Sequence, residues 1–312
     1  AENRIRLPVS YGHRAVAINE CGGRIDVTLQ AMGDAVSHVE ARYVAIGVGL
    51  RPSIPAGIVC GPRVFHNHGL LRSLAQLGSP PAGRFLVVGS GQSGAEVAAY
   101  LHDAYPNAQV HISLRRFGFT PADSTPFANR IFDATSVDEF YDAPRQFKRR
   151  LVDTHRSTNY SAVDAELIEE LYRREYDETV SGRRRLTVHR TTILDQIQEH
   201  PDRVSVALCS LATDETTQLD VDAVILATGF EPGDVRELLG PTIDHSSAYA
   251  DGLPLVERDY SLKLPGLPGR VFLNGGVEHT HGLTSSLLSN VAVRSAEILR
   301  SIAMNDELRT PS

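Results

Sequence analysis

The stretch R-F-L-V-V-G-S-G-Q-S-G-A-E-V, Arg84 to Val97, decides the fold. Arg84–Val88 is a short apolar run of the kind that forms a buried strand. Gly89-Ser90-Gly91-Gln92-Ser93-Gly94 is a G-x-G-x-x-G turn. A helix is expected from Gln92 to Asp103, with Ala95, Val97, Ala98 and Leu101 on one face and Pro106 shortly beyond its end. Gln109–Leu114 reads as the next strand. Strand, glycine turn, helix and strand in that order form a β-α-β unit, so the strands are parallel. In such a turn the first glycine permits the bend. The second lets a pyrophosphate approach the backbone, and the third lets helix and strand pack closely. The helix N-terminus then offers free N–H groups to phosphate. The context favours dinucleotide binding over a glycine turn without a ligand.

The end of the second strand distinguishes the nicotinamide cofactors. NAD sites carry an Asp or Glu about 20 residues after the turn, to bind ribose hydroxyls. Here the position holds Arg115 and Arg116 with no acid nearby. Two guanidinium groups there favour the extra phosphate of NADPH; the alternative is a pair of solvated surface charges.

Working outward, residues 1–60 read as short strands: Arg24–Leu29, Val36–Glu40 and Tyr43–Val48. From Arg116 to about Gly182 no strand pattern exists. Phe127–Phe132, Val137–Tyr141 and Arg145–Thr154 are expected to be helical. Ser161–Val180 gives the clearest helix, with Ser161 as its cap and Asp164 as the reciprocal partner. Strands return at Arg185–His189, Val204–Cys209 and Asp222–Leu226, and a final amphipathic helix is expected from about Thr284 to Ala303. Asp222-Ala-Val-Ile-Leu-Ala-Thr-Gly-Phe-Glu-Pro232 runs an apolar strand into a glycine closing. Tyr43–Gly47, followed by Pro52 and Pro55, repeats that pattern. Flavoproteins with two dinucleotide domains close each domain in this way. Two closings with one glycine-rich opening lead us to expect the second opening upstream of Ala1, in a longer protein.

The composition is that of a soluble globular protein: 312 residues, 42% hydrophobic and 22% charged. The net charge of −7 supplies no bulk attraction for nucleic acid or anionic membranes. Of the 31 cations, 29 are Arg and two are Lys, Lys148 and Lys263. No apolar run approaches the ~20 residues of a membrane span, and no apolar signal region opens the sequence. A cytoplasmic location is expected. Cys21, Cys60 and Cys209 are odd in number and widely spaced, so no dithiol redox centre or zinc ribbon is available. His66 and His68, and His279 and His281 with Glu278 beside them, form two H-x-H pairs. They flank different motifs and are read as loop residues, not metal ligands.

These segments together resemble the flavin-dependent N-hydroxylating monooxygenases, the lysine/ornithine N-monooxygenase family of siderophore biosynthesis. The resemblance is carried by Val87–Val97, by R-R-F-G-F-T-P-A-D-S-T-P-F-A-N-R-I-F (Arg115–Phe132), and by T-N-Y-S with the acidic helix after it (Thr158–Glu175). L-A-T-G-F (Leu226–Phe230) and E-H-T-H-G-L-T-S-S-L-L-S (Glu278–Ser289) complete it. It covers about residues 43–300 and implies an α/β architecture: a Rossmann-like NADPH domain inserted in a two-dinucleotide-domain flavoprotein fold, with a helical substrate segment. The boundaries expected are 1–60 for the first FAD-domain piece, 61–119 and 183–232 for the NADPH domain, 120–182 for the helical segment, and 233–312 for the FAD-domain return and last helix.

The resemblance further implies FAD and NADPH as cofactors, dioxygen as co-substrate, a primary amine of a small amino acid or diamine (lysine or ornithine foremost) as substrate, and a homo-oligomer. Gly89, Gly91, Gln92, Ser93, Gly94, Arg115 and Arg116 form the NADPH set. Thr284 and Leu287 would lie at FAD. Asn129, Asn159 and Ser289 would lie at the substrate. A helix starting near Thr284 would also suit the negative charge of reduced flavin. Ser285-Ser286 and Thr120 depart from the ornithine-specific pattern and leave the amine open. No residue stands out as the acid or base. Alternative readings are a noncatalytic NADP-binding fragment and another NADPH-dependent flavoprotein oxidoreductase. As given, the segment alone is expected to bind NADPH without hydroxylating anything.

Overall fold

A computed structural model describes residues 8–78, 83–159 and 161–307; of 156–159 it describes the backbone alone. The chain divides into two compact units. One comprises residues 1–50, 130–152 and 232–312, the other 51–129 and 153–231. The first crossing lies at 50/51, ten residues before the expected boundary. The stretch 120–182, expected as one helical segment, is shared between the units.

The unit of 51–129 and 153–231 is built on a five-stranded sheet. In spatial order its strands are Val64–His66, Ala223–Leu226, Arg84–Val88, Gln109–Ser113 and Leu186–His189, and every neighbouring pair is parallel. Period-2 alternation along these strands sends side chains to two cores. Phe85, Val87, Val110, Ile112 and Leu114 pack under the helices Gln92–Ala104 and Ala165–Ser181, against Ala95, Ala98, Leu101 and Leu171. On the other face Val64, Leu86, Val224 and Leu226 meet Val204, Val206 and Leu208. Those three belong to an antiparallel sheet of Thr192–Glu199, Val204–Ser210 and Thr216–Val221. Burial on both faces explains why the parallel strands are apolar nearly throughout.

The other unit opens with the antiparallel strands His13–Cys21, Arg24–Ala31 and Val36–Ala41. Val44–Ile46, the closing strand expected at Tyr43–Val48, pairs in parallel with Val271–Leu273. Ile18, Ile25, Ile46, Phe272, Val277 and Ile298 lie in its core. Within this unit the helix Ser136–Asp142 packs on Glu278–His281. The approach is close enough that a Cβ on Gly282 would lie 3.2 Å from the Phe140 ring.

Two expectations need correction. The last helix runs Val291–Glu307, not from Thr284; residues 283–290 form two short 3-10 turns, Leu283–Ser286 and Leu288–Asn290. Thr284 Oγ1 donates to the His281 carbonyl and Ser286 Oγ to that of Leu283, so these hydroxyls serve local turns in place of a helix start. The helix expected from Ser161 begins at Ala165 with Asp164 in the N-cap position and no side-chain cap. Ser161 instead takes a left-handed backbone conformation, φ 55°.

Candidate cofactor site

The glycine turn follows Arg84–Val88 directly and leads into Gln92–Ala104. Its glycines are required by contact. A Cβ on Gly89 would lie 2.2 Å from the Ala227 carbonyl oxygen, and one on Gly94 would lie 2.6 Å from the Gly89 oxygen. The first and third glycines therefore let the turn fit against the Leu226–Phe230 closing and its own helix. The Gly89 N–H donates to the Ser113 carbonyl, which ties the turn to the second strand. The helix has no side-chain cap, so its first N–H groups, on Gln92 and Ser93, suit an anion.

The second glycine lies beside another stretch of backbone. The position its Cβ would take is 3.4 Å from Ser161 Cα, so the backbone at Ser161, the last residue of T-N-Y-S, passes Gly91 at ordinary contact distance. That segment is tied down on both sides. Gln92 Nε2 donates to Asp164 Oδ2 at 2.9 Å, and the Asp164 N–H donates to Gln92 Oε1 at 2.8 Å. Arg116 Nη1 donates to Thr120 Oγ1 and to the Ser161 carbonyl, each at 3.0 Å. The N–H groups of Val163 and Ala122 donate to the carbonyls of Thr120 and Val163. Gln92 and Arg116 thus hold the loop that covers the turn. Arg115, exposed at the strand end, makes no hydrogen bond or ion pair among the described residues.

The closing after Ala223–Leu226 is pinned from two sides. Thr228 Oγ1 donates to the Ser53 carbonyl at 2.6 Å and the Ser53 N–H to that of Gly229. His66 Nε2 lies 2.9 Å from the same Gly229 oxygen, with the Phe230 ring edge-on to His66 at 4.9 Å. Burial lowers the His66 pKa, against the raising effect of that bond. Asn129 ends the short helix Pro126–Asn129 and donates from Nδ2 to the Ser124 carbonyl. Asn159 closes the helix Arg145–Asn159, and its side chain lies outside the described residues.

In the other unit Thr284 is buried, Leu287 is half-buried and Ser289 is exposed. A feature that the sequence did not reveal lies beneath them. Arg294 is 5% exposed, and no carboxylate pairs with it among the described residues. Its Nε donates to Asn274 Oδ1 at 2.7 Å and its Nη1 to the Ser285 carbonyl at 3.0 Å. Burial lowers its pKa from the ordinary guanidinium value. The Ser285 hydroxyl is buried with no hydrogen-bond partner among the described residues. An unbalanced cation and an unused hydroxyl fit an electron-rich group with hydrogen-bonding capacity. Its only sequence signal is one Arg in the last helix, indistinguishable from a surface cation.

The histidine pairs bond separately. His279 Nε2 lies 2.8 Å from the Pro254 carbonyl. His281 lies against Thr280 Oγ1 and the Arg258 carbonyl and stacks on Tyr260 at 4.1 Å. Among the described residues no helix is long and apolar enough to cross a membrane.

Comparison with known proteins then bears on the chemistry. A family model described as L-lysine 6-monooxygenase/L-ornithine 5-monooxygenase matches residues 1–232. The chain is 32% identical over 299 residues to an L-ornithine N(5)-monooxygenase of Arthroderma benhamiae, covering 86% of this chain and 57% of that protein. It is 32% identical over 267 residues to an L-ornithine N(5)-monooxygenase of Pseudomonas aeruginosa, covering 84% and 59%. The ornithine N-hydroxylase of Kutzneria sp. 744, solved with reduced FAD, NADP+ and L-ornithine, superposes with a TM-score of 0.91. That pair shares 39% identity over 98% of this chain and 74% of the other. The chain therefore spans a little under three-fifths of the length of these two curated relatives.

Proposed function

The chain belongs to the L-lysine 6-monooxygenase/L-ornithine 5-monooxygenase family, and from that premise we propose that it serves the NADPH- and FAD-dependent N-hydroxylation of the primary amine of a small amino acid or diamine. Ornithine is the first candidate, because relatives named for it match over 84–86% of this chain. The observation that carries the reading is the glycine turn, whose first and third glycines leave no room for a Cβ and whose helix start carries no competing cap.

NADPH when bound would supply a hydride and FAD the centre at which dioxygen is activated. The chain's own part is to hold and orient. The N–H groups of Gln92 and Ser93 would face phosphate. Arg115 would take the 2′-phosphate, since its guanidinium is uncommitted. Arg116 and Gln92 would act at one remove, by fixing the loop over Gly91. Arg294 and Ser285, with Thr284 and Leu287, would form the flavin-facing part of the other unit. Asn129, Asn159 and Ser289 are the proposed substrate contacts. A lysine-like amine has a pKa near ~10, so the site must favour its neutral form before it can attack oxygen.

The test is direct. The full-length protein, purified and supplied with FAD, is titrated with NADPH and NADH. It is then incubated with NADPH and ornithine, lysine, diamines or aspartate, and assayed for hydroxylamine. Tighter NADPH binding and a hydroxylated ornithine or lysine are expected. Absence of NADPH binding removes the cofactor assignment; binding without hydroxylamine from any amine removes the activity.

A further inference from the structure

The strands Gln109–Ser113 and Leu186–His189 lie side by side at one edge of the parallel sheet, and their bonding continues past both ends. The Leu114 N–H donates to the His189 carbonyl at 3.0 Å, the Thr191 N–H to that of Arg116 at 3.0 Å and the Thr192 N–H to that of Leu114 at 2.8 Å. Arg115, Arg116, Phe117 and Arg190 are therefore held together at the carboxyl ends of the two strands, the edge at which open parallel sheets bind ligands. Thr191 turns the chain there in a left-handed conformation, φ 49°, which β-branched residues rarely adopt.

Two side chains at this edge meet each other. Phe117 is 74% exposed, and the Arg190 guanidinium lies over its ring, 5.4 Å from the centroid. Arg190 also forms an ion pair with Glu175, but Nη2 is 3.8 Å from Oε2, too far for a hydrogen bond. Its N–H donors therefore have no acceptor among the described residues. A guanidinium laid on an aromatic ring with its donors uncommitted is prepared for an anion: the ring fixes the plane and leaves the edge free.

We propose that Arg190, held on Phe117, is the second cation for the 2′-phosphate of NADPH, beside Arg115. This rests on the cofactor reading given above. A phosphate monoester carries about −1.5 to −2 charge near neutrality, so Arg115 alone leaves it short of neutral. Arg116 is engaged with Thr120 and the Ser161 carbonyl. Arg190 has free donors, and its planar fork matches two phosphate oxygens. Phe117 is a positioning residue that holds the fork. NADH lacks the phosphate and gains nothing from the pair, so Arg190 helps set the choice of cofactor. It comes from the next strand, outside the reach of the glycine-turn motif.

The test titrates the full-length protein with adenosine 2′,5′-bisphosphate and with AMP, whose difference reports the 2′-phosphate without hydride transfer. Wild type should bind the bisphosphate more tightly. Arg190→Ala should cut that preference by about tenfold or more, as loss of hydrogen bonds to a charged group does, and leave AMP affinity as it was. Phe117→Leu should cut it by about two- to fivefold. Arg190→Lys keeps the charge without the fork and should restore only part of it. Arg184→Ala removes an equal charge before the start of the same strand and should not alter the preference. A wild-type protein that does not distinguish the two nucleotides removes the cofactor reading itself. A wild-type preference that survives in Arg190→Ala, or falls equally in Arg184→Ala, overturns the role of Arg190 alone. So does an equal loss of AMP and bisphosphate affinity, which would mean stacking on adenine in place of phosphate binding.

Discussion

Replacing Gly89 by alanine tests the turn on which the cofactor reading depends. Two costs are separable. The residue sits at φ 150°, a region nearly confined to glycine, and an L side chain held there costs on the order of 1–3 kcal/mol. The new Cβ would also lie 2.2 Å from the Ala227 oxygen and 2.9 Å from its carbonyl carbon, both backbone atoms that cannot swing aside. Overpacking of that kind costs about 1–3 kcal/mol more. The sum, roughly 2–6 kcal/mol, is a large share of the ~5–15 kcal/mol that holds a domain folded. At about 2–4 °C per kcal/mol, melting of the 51–129/153–231 unit should fall by roughly 5–20 °C. Gly57→Ala supplies the strain alone, since Gly57 has φ 82° and open space around it; it should cost about 1–2 kcal/mol. Gly118→Ala, with neither strain nor contact, should be nearly neutral. Calorimetry of the three variants, followed by NADPH titration, reads the series. If Gly89→Ala melts no lower than Gly57→Ala, the close approach to Ala227 does not exist and the fitted turn is wrong.

Three further outcomes follow from the same geometry. Arg115→Ala should reduce the preference for NADPH over NADH by about tenfold or more, as expected for a lost hydrogen bond to a charged group. Arg116→Ala should leave that ratio unchanged and loosen the 120–122 and 161–163 loops in hydrogen exchange; equal effects on the ratio would refute the division of labour. Glu178 is partly buried, which raises its pKa, but hydrogen bonds from His102 and from the N–H groups of Leu186 and Arg185 outweigh burial and hold it below its ordinary value. Its contribution is thus present above about pH 4.5 and lost as pH falls through the lower folded value. Glu178→Ala should cost about 2–4 kcal/mol at pH 7 by leaving those donors unpaired, and a melting temperature within a degree of wild type would contradict it. Burial pushes His281 down to about 4, so the fold favours its neutral form. That contribution is intact above pH 6.5 and lost as pH falls towards 4. At ~1.36 kcal/mol per unit, about 2–3 kcal/mol should be gone by pH 4.5. His281→Gln should shrink the difference in denaturant stability between pH 7 and pH 4.5, and an unchanged difference would clear His281 of it.

What the sequence revealed and what it hid divide along the range of the interactions. Arg84–Val88, the glycine turn and Gln92–Ala104 are specified by neighbours within a few residues, and the strand boundaries expected and observed coincide. Thr216–Val221 was invisible because it is a mostly exposed polar edge strand with no apolar alternation to detect. Thr192–Glu199 loses its alternation at a register shift between Leu194 and Gln196. The start of the last helix was misplaced for a chemical reason. Thr284, Ser285 and Ser286 have acceptable helix propensities, but two of their hydroxyls bond back to carbonyls three residues earlier. Asn290 Nδ2 donates to the Phe132 carbonyl, 158 residues away in sequence. No local pattern encodes a partner that distant.

The same distinction alters what the phosphate-side residues do. Gln92 and Arg116 were expected to touch the cofactor because they sit where dinucleotide proteins place such contacts. Their partners, Asp164 and Ser161, lie 72 and 45 residues away in sequence; Ser161 ends T-N-Y-S and Asp164 follows three residues on. A side chain already satisfied by two hydrogen bonds at 2.8–2.9 Å gains little by exchanging them for a ligand. In this structure Gln92 and Arg116 fasten the segment around Ser161–Asp164, whose backbone passes Gly91 at ordinary contact distance. These bonds link the turn and the strand end to the loop of residues 161–164. Within this unit, displacing that loop would remove the partners of Gln92 and Arg116, whereas Arg115 has no such attachment among the described residues.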